Sequence, residues 1–100
     1  MPNPTIELVE FRLKEGVPSA SFLAAVEASQ AAVQRLPGFI SRELSCSDEG
    51  LWIDLVHWRS HADAVAAAEA FGSLPEVAAF AAMIDMQQMR MLHLAQQRSF

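Results

Sequence analysis

The chain carries one cysteine, Cys46, among its 100 residues. An intrachain disulfide is therefore excluded, and a reducing compartment is compatible with this usage. Cationic side chains are scarce. Seven Lys and Arg stand against twelve Asp and Glu, giving a net charge of −5 and an isoelectric point near 5.0. Nucleic-acid binding relies on cationic contacts to phosphate, so that class is disfavoured. Anionic membrane surfaces are disfavoured for the same reason. No apolar run reaches the ~20 residues that span a bilayer. The first residues, Met1-Pro2-Asn3-Pro4-Thr5-Ile6-Glu7, lack the basic-then-apolar character of a leader. Internal repeats, low-complexity stretches and interdomain linkers are absent as well. A soluble cytoplasmic protein is expected.

What is present is a hydrophobic content of 52%, much of it alanine. Alanine lets helices pack closely without filling a large core. The length corresponds to one domain over residues 1–100, whose core is modest. Covering further apolar surface by self-association would help such a chain.

Periodicity reads as strand, helix, strand, strand, helix, strand. A strand is expected over 5–14, with Val9, Phe11 and Leu13 on one face and Ile6, Leu8, Glu10 and Arg12 on the other. Gly16 ends it. A helix over 18–36 carries Phe22, Val26, Ser29, Val33 and Leu36 as one stripe, and Pro37-Gly38 stops it. The strand over 39–46 has less distinct faces. Ser47-Asp48-Glu49-Gly50 is a hairpin turn signal leading into a strand over 51–59. Ser60 is an expected N-cap for a helix to about residue 71 with Val65, Ala68 and Phe71 inward. Ser73-Leu74-Pro75-Glu76 suggests a second capping box opening a short helix to about residue 83, with Val77, Phe80 and Ile84 toward the core. A last strand is expected over 86–97.

A hairpin between two βα units suggests interleaved βαβ motifs with right-handed crossovers. The expected fold is α+β, ferredoxin-like βαββαβ, with a four-stranded antiparallel sheet in order 4-1-3-2. Both helices then lie on one face, and an extra short helix precedes the last strand. The aliphatic sets Val9/Phe11/Leu13 and Leu51/Ile53/Leu55 are expected beneath the helices. By alternation, Leu8, Glu10, Arg12, Trp52, Asp54, Val56 and Trp58 are expected on the open face, where indoles and carboxylates would need a partner subunit or a ligand.

Three stretches carry a family resemblance: Phe11-Arg12-Leu13-Lys14-Glu15-Gly16, Leu36-Pro37-Gly38-Phe39-Ile40-Ser41, and Val56-His57-Trp58-Arg59-Ser60 ahead of an alanine-rich helix. With the short helix carrying Pro75-Glu76-Val77, they make the chain resemble the antibiotic biosynthesis monooxygenase-like family over nearly its whole length. The resemblance implies a dimeric α/β barrel, in which two ferredoxin-like sheets pack face to face. It implies activities that range from oxygenation of polycyclic aromatics without metal or flavin, through haem degradation, to isomerisation or decarboxylation. The haem-degrading branch uses an Asn on the first strand and a Trp and a His on later helices. The matching neighbourhoods here hold Val9, Ala67-Ala68-Glu69 and Val77-Ala78-Ala79, so haem chemistry does not carry over.

Glu10, Asp54 and His93 are the candidate catalytic groups. Two carboxylates facing each other across neighbouring strands would repel, and one could serve as a general base. Alternatively, Arg12 or an arginine of a second subunit simply neutralises them. Arg12, Trp52 and Trp58 are candidate substrate-binding residues, the indoles by stacking an aromatic; packing or interface anchoring is the competing role. His93 could act as acid or base, since histidine titrates near neutral pH. No metal site is expected. His57 and His61 straddle a strand–helix junction, while His57 and His93 lie on strands about 9–10 Å apart with no further ligands to hand. Cys46, beside Asp48 and Glu49, is expected to be inert. Met83, Met86, Met89 and Met91 suit adaptable packing or a flexible pocket wall.

Two functions compete. One is a cofactor-free monooxygenase, a homodimer taking a small aromatic or other hydrophobic metabolite. The other is a non-catalytic metabolite-binding or structural barrel. No cofactor, nucleic acid or membrane partner is expected in either.

Overall fold

The alternating segments form β1 (Thr5–Phe11), β2 (Phe39–Cys46), β3 (Trp52–Trp58) and β4 (Arg90–Ala95) in the computed structural model, which describes residues 3–100. Met1 and Pro2, part of the start without leader character, lie outside the described residues. The sheet order is β2-β3-β1-β4 with every pair antiparallel, the expected order read from the other edge. Helix α1 (Ser19–Val33) connects β1 to β2, and α2 (His61–Phe71) follows β3. Pro75–Val77 forms a single 3₁₀ turn leading into α3 (Ala78–Ala82). Among the described residues, no single helix is long and apolar enough to cross a membrane.

The turns follow local chemistry. Gly50 closes the β2–β3 hairpin at φ 84°, and its amide donates to the Ser47 carbonyl at 3.0 Å. Ser60 caps α2 by accepting the Asp63 amide at 3.1 Å. One expected cap takes another form. The Ser73 hydroxyl donates back to the Ala70 carbonyl at 2.9 Å instead of capping forward, so Leu74 occupies the N-cap without a side-chain bond. Asp85 accepts the Gln87 amide at 3.0 Å and so winds Met86–Gln88 into a 3₁₀ turn. The last strand is accordingly shorter than expected.

Facing is where structure and expectation part. Phe11 is fully buried, with Val9 and Leu13 packed at the same cluster, so the helix-covered face of β1 is the expected one. On β3 the expected face is reversed. Trp52, Asp54, Val56 and Trp58 lie beneath the helices, all buried. Ile53 and Leu55 point the other way, while Leu51 precedes the strand. The register requires this, because residues paired across a ladder share a face and Phe11 pairs with Trp52, Val9 with Asp54. Two indoles, at roughly 150–250 Å² buried each, outweigh two aliphatic side chains.

The core divides in two along β3. Phe11, Phe22, Trp52 and Phe80 gather at one end, with Phe22 edge-on to Trp52 at 4.9 Å. Val33, Val56, Trp58, Ala64 and Ala67 gather at the other. Asp54 stands between them in the strand. The opposite sheet face has no helix. There Leu92, Leu8 and Leu55 form a row across β4, β1 and β3, with Ile6, Leu94 and Ile53 in the adjoining rows.

Gly38 holds β2 against the start of α2. It adopts φ 85°, and a Cβ there would run into the Asp63 side chain. Gly38→Ala is expected to lower stability by about 1–2 kcal/mol from the left-handed backbone alone, with the overlap adding to it. An unchanged urea midpoint would contradict this packing.

Candidate functional site

Between the two core clusters lies a cavity of about 290 Å³. It exists because the helices there present small side chains, Ala67, Ala68, Gly72 and Ala81, opposite the sheet. Its wall is largely apolar, with Glu7, Arg42 and Asp54 as its charged members and Trp58 as its indole. Met86, Met89 and Met91 line it from the chain just before and within β4, and all three are substantially exposed, as expected at a mouth.

Arg42 and Asp54 form the central polar contact. Their side chains are 6% and 7% exposed, and Arg42 Nη2 lies 2.8 Å from Asp54 Oδ2. Arg42 Nε reaches both carboxylate oxygens at 3.1 and 3.2 Å. Its Nη1 donates to Ser29 Oγ at 3.1 Å and to Gln30 Oε1 at 3.2 Å on α1. A guanidinium has five N–H donors; these bonds leave one Nη2 hydrogen over. Phe80 covers the group, its ring centroid 5.3 Å from Cζ. This planar, bidentate geometry is what a buried arginine needs to offset desolvation.

Glu7 is the second polar element. It pairs in register with His93 on β4, whose Nε2 lies 2.9 Å from Glu7 Oε2; the side chains are 11% and 18% exposed. Oε1 has no hydrogen-bond partner among the described residues. On β3, Val56 is opposite Glu7, which makes Asp54 and Trp58 its diagonal neighbours on the same face, at roughly 7–8 Å. The indole Nε1 of Trp58 is buried without a hydrogen-bond partner among the described residues. An unsatisfied donor of this kind costs about 1–3 kcal/mol.

The expected site residues separate accordingly. Asp54 and Trp58 stand in the cavity wall, on the helix face and not on the open one. Glu10 is on the opposite side of the sheet, paired with Arg90 at 3.5 Å, so Glu10 and Asp54 do not meet. Trp52 is buried in the aromatic cluster away from the cavity lining. Arg12 follows β1 and donates to the Glu49 carbonyl at 2.7 Å beside the hairpin, so it neutralises neither carboxylate. His93 serves Glu7. His57, which bonds Glu43 at 3.1 Å, lies on the open face, so His57 and His93 cannot share an ion. Among the described residues no group of three His, Cys, Asp or Glu is placed to hold a metal.

Sequence reasoning missed Glu7 and Arg42. Glu7 has the same parity as Val9 and Phe11, which was the available signal. Arg42 shares parity with Leu44 on a strand of indistinct faces, and nothing local marks it.

No family model matches the chain, and no curated protein does either. Solved structures do match. SnoaB, a cofactor-independent oxygenase from Streptomyces nogalater, superposes with a TM-score of 0.79 at 17% identity, over 97% of this chain and 96% of that one. The monooxygenase ActVA-Orf6 of Streptomyces coelicolor, solved in complex with nanaomycin D, gives 0.69 at 17%, over 98% and 91%. An antibiotic biosynthesis monooxygenase so described from Bordetella bronchiseptica gives 0.78 at 16%, over 98% and 99%. The chain thus has the ferredoxin-like fold of these proteins, as its sequence motifs suggested.

Removing one partner of a buried ion pair costs about 3–5 kcal/mol, whereas an apolar replacement of both is often neutral. Arg42→Met or Asp54→Leu alone is therefore expected to lower the denaturation midpoint sharply, and the double variant to recover most of the loss. Additive losses in a double-mutant cycle would show that the two groups act independently.

Proposed function

We propose that the chain is a cofactor-independent monooxygenase for a small aromatic or otherwise hydrophobic metabolite held between the sheet and the helices. The observation that carries this reading is the mostly apolar cavity in whose wall Glu7 is the carboxylate with an uncommitted oxygen, on the same face as the buried, unpartnered indole N–H of Trp58. Such a wall suits a flat apolar ligand with one acidic C–H and one carbonyl oxygen. Glu7 takes the proton from the carbon. The Trp58 N–H stabilises the charge that develops on the carbonyl oxygen. Asp54 is the fixed anchor of Arg42 in this scheme. The delocalised carbanion passes its electron pair to dioxygen, forming a C–O bond. Loss of the second proton with cleavage of the O–O bond then gives a ketone, so that one methylene and one dioxygen become one carbonyl and one water. No cofactor is needed where the substrate's own π system holds the charge.

The reading includes a homodimer. The apolar rows on the uncovered sheet face suit pairing with the same face of a second copy, and their flanking pairs, Glu10–Arg90 and Glu43–His57, suit the rim of such an interface. In this arrangement the two cavities lie outside the paired sheets, one in each protomer.

Anthrone, a tricyclic ketone with an acidic methylene, is a direct probe. Oxygen uptake equal to anthrone consumed is expected, and Glu7→Gln should lower the rate by about 10²-fold or more while tryptophan fluorescence still reports binding. Binding without uptake by the wild type would make the protein a carrier instead. For the assembly, Leu8→Glu should convert a sedimenting dimer to a monomer; a wild-type monomer would remove the dimer from the proposal.

A further inference from the structure

We infer that Glu7 and His93 form a proton exit from the cavity beside His61, in which His93 carries protons between Glu7 and water. The inference rests on the reading of Glu7 as the base. It concerns where the abstracted proton goes.

The three side chains come from three elements and lead outward. Glu7, on β1, lines the cavity. His93 sits opposite it on β4, an edge strand, and is not part of the lining. It therefore stands behind Glu7 as seen from the cavity, and it retains contact with solvent. His61, the first residue of α2, is exposed and stands edge-on to His93 with ring centroids 5.6 Å apart and planes at 87°. Charged and titratable groups thus meet His93 from β1 and from α2, one carboxylate and one imidazole.

The transfer balances simply. The C–H bond breaks and its electron pair stays on carbon. The proton joins Glu7. While Glu7 is ionised, the Nε2–H of His93 donates to Oε2. Once the proton has joined Oε1 that acceptor is neutralised, and exchange with water moves the imidazole hydrogen to Nδ1. As the carboxyl group turns, Nε2 accepts the proton, giving an imidazolium that releases a proton from Nδ1 to water and restores the starting contact. Without this path, a proton held on Glu7 in an apolar wall has one ready acceptor, the carbanion it came from. Internal return then outcompetes exchange with solvent. His93 touches no substrate, so it is a positioning and transfer residue.

The two behaviours separate by isotope washout. Anthrone carrying deuterium at its methylene is incubated with the protein under nitrogen in ordinary water, and loss of label is followed by mass spectrometry. Wild type is expected to accelerate washout above the buffer rate. His93→Gln keeps an N–H for Glu7 but cannot relay a proton. It should bind anthrone normally while losing washout by at least about tenfold. In His93→Ala, added imidazole should restore washout, which a merely structural role would not show. Washout at the wild-type rate in His93→Gln, or no acceleration by wild type, overturns the exit. Wild-type washout without oxygen uptake in air keeps the exit and removes the monooxygenase.

Discussion

An arginine whose side chain is only 6% exposed beneath a helix has to be neutralised where it stands, and the bidentate contact between Arg42 and Asp54 does this. The pair ties β2 to β3, and through Ser29 and Gln30 it ties both to α1. Its position in mid-strand divides the core into two apolar clusters. Neither cluster can close over a charged centre as tightly as over aliphatic side chains. The cavity lies beside this seam, bounded on one side by Phe80 and Ile84 and on the other by Val56 and Trp58. A wholly apolar mid-sheet would pack more simply and leave less room for polar groups in the wall.

The fold was legible because it rests on features that are local in sequence. Alternation in β1, the turn at Ser47–Gly50 and the Ser60 cap each act within a few residues, and together they define the topology. The candidate site was half legible. Asp54 and Trp58 stand in it, but on the side of the sheet opposite to the expected one. The reason is that β3 is apolar on both faces, so alternation groups its residues without saying which group goes inward. Cross-strand register settles that, by setting Trp52 against Phe11, and register is not a local property. The reversal separated Glu10 from Asp54 and set Asp54 on the same face as Glu7.

Each sheet face has its own character. The covered face holds the ion pair and the Trp58 indole, both closed to bulk water, and the Glu7–His93 contact at the sheet edge. The uncovered face holds aliphatic rows with charges only toward their ends. Side chains alternate between the two faces along each strand, so a substitution on one face leaves the side-chain packing of the other in place.

The room inside the molecule is set by very few atoms. Ala67, Ala68, Gly72 and Ala81 lie within fifteen residues of one another on the helical side of the cavity, and none contributes more than a methyl group. A change to valine or leucine at one of them would take up part of about 290 Å³ without touching the strands. Lineages with this fold can therefore drift in the outline of what they admit while their sheets remain superposable, much as a lock is re-keyed by changing pins and not the housing.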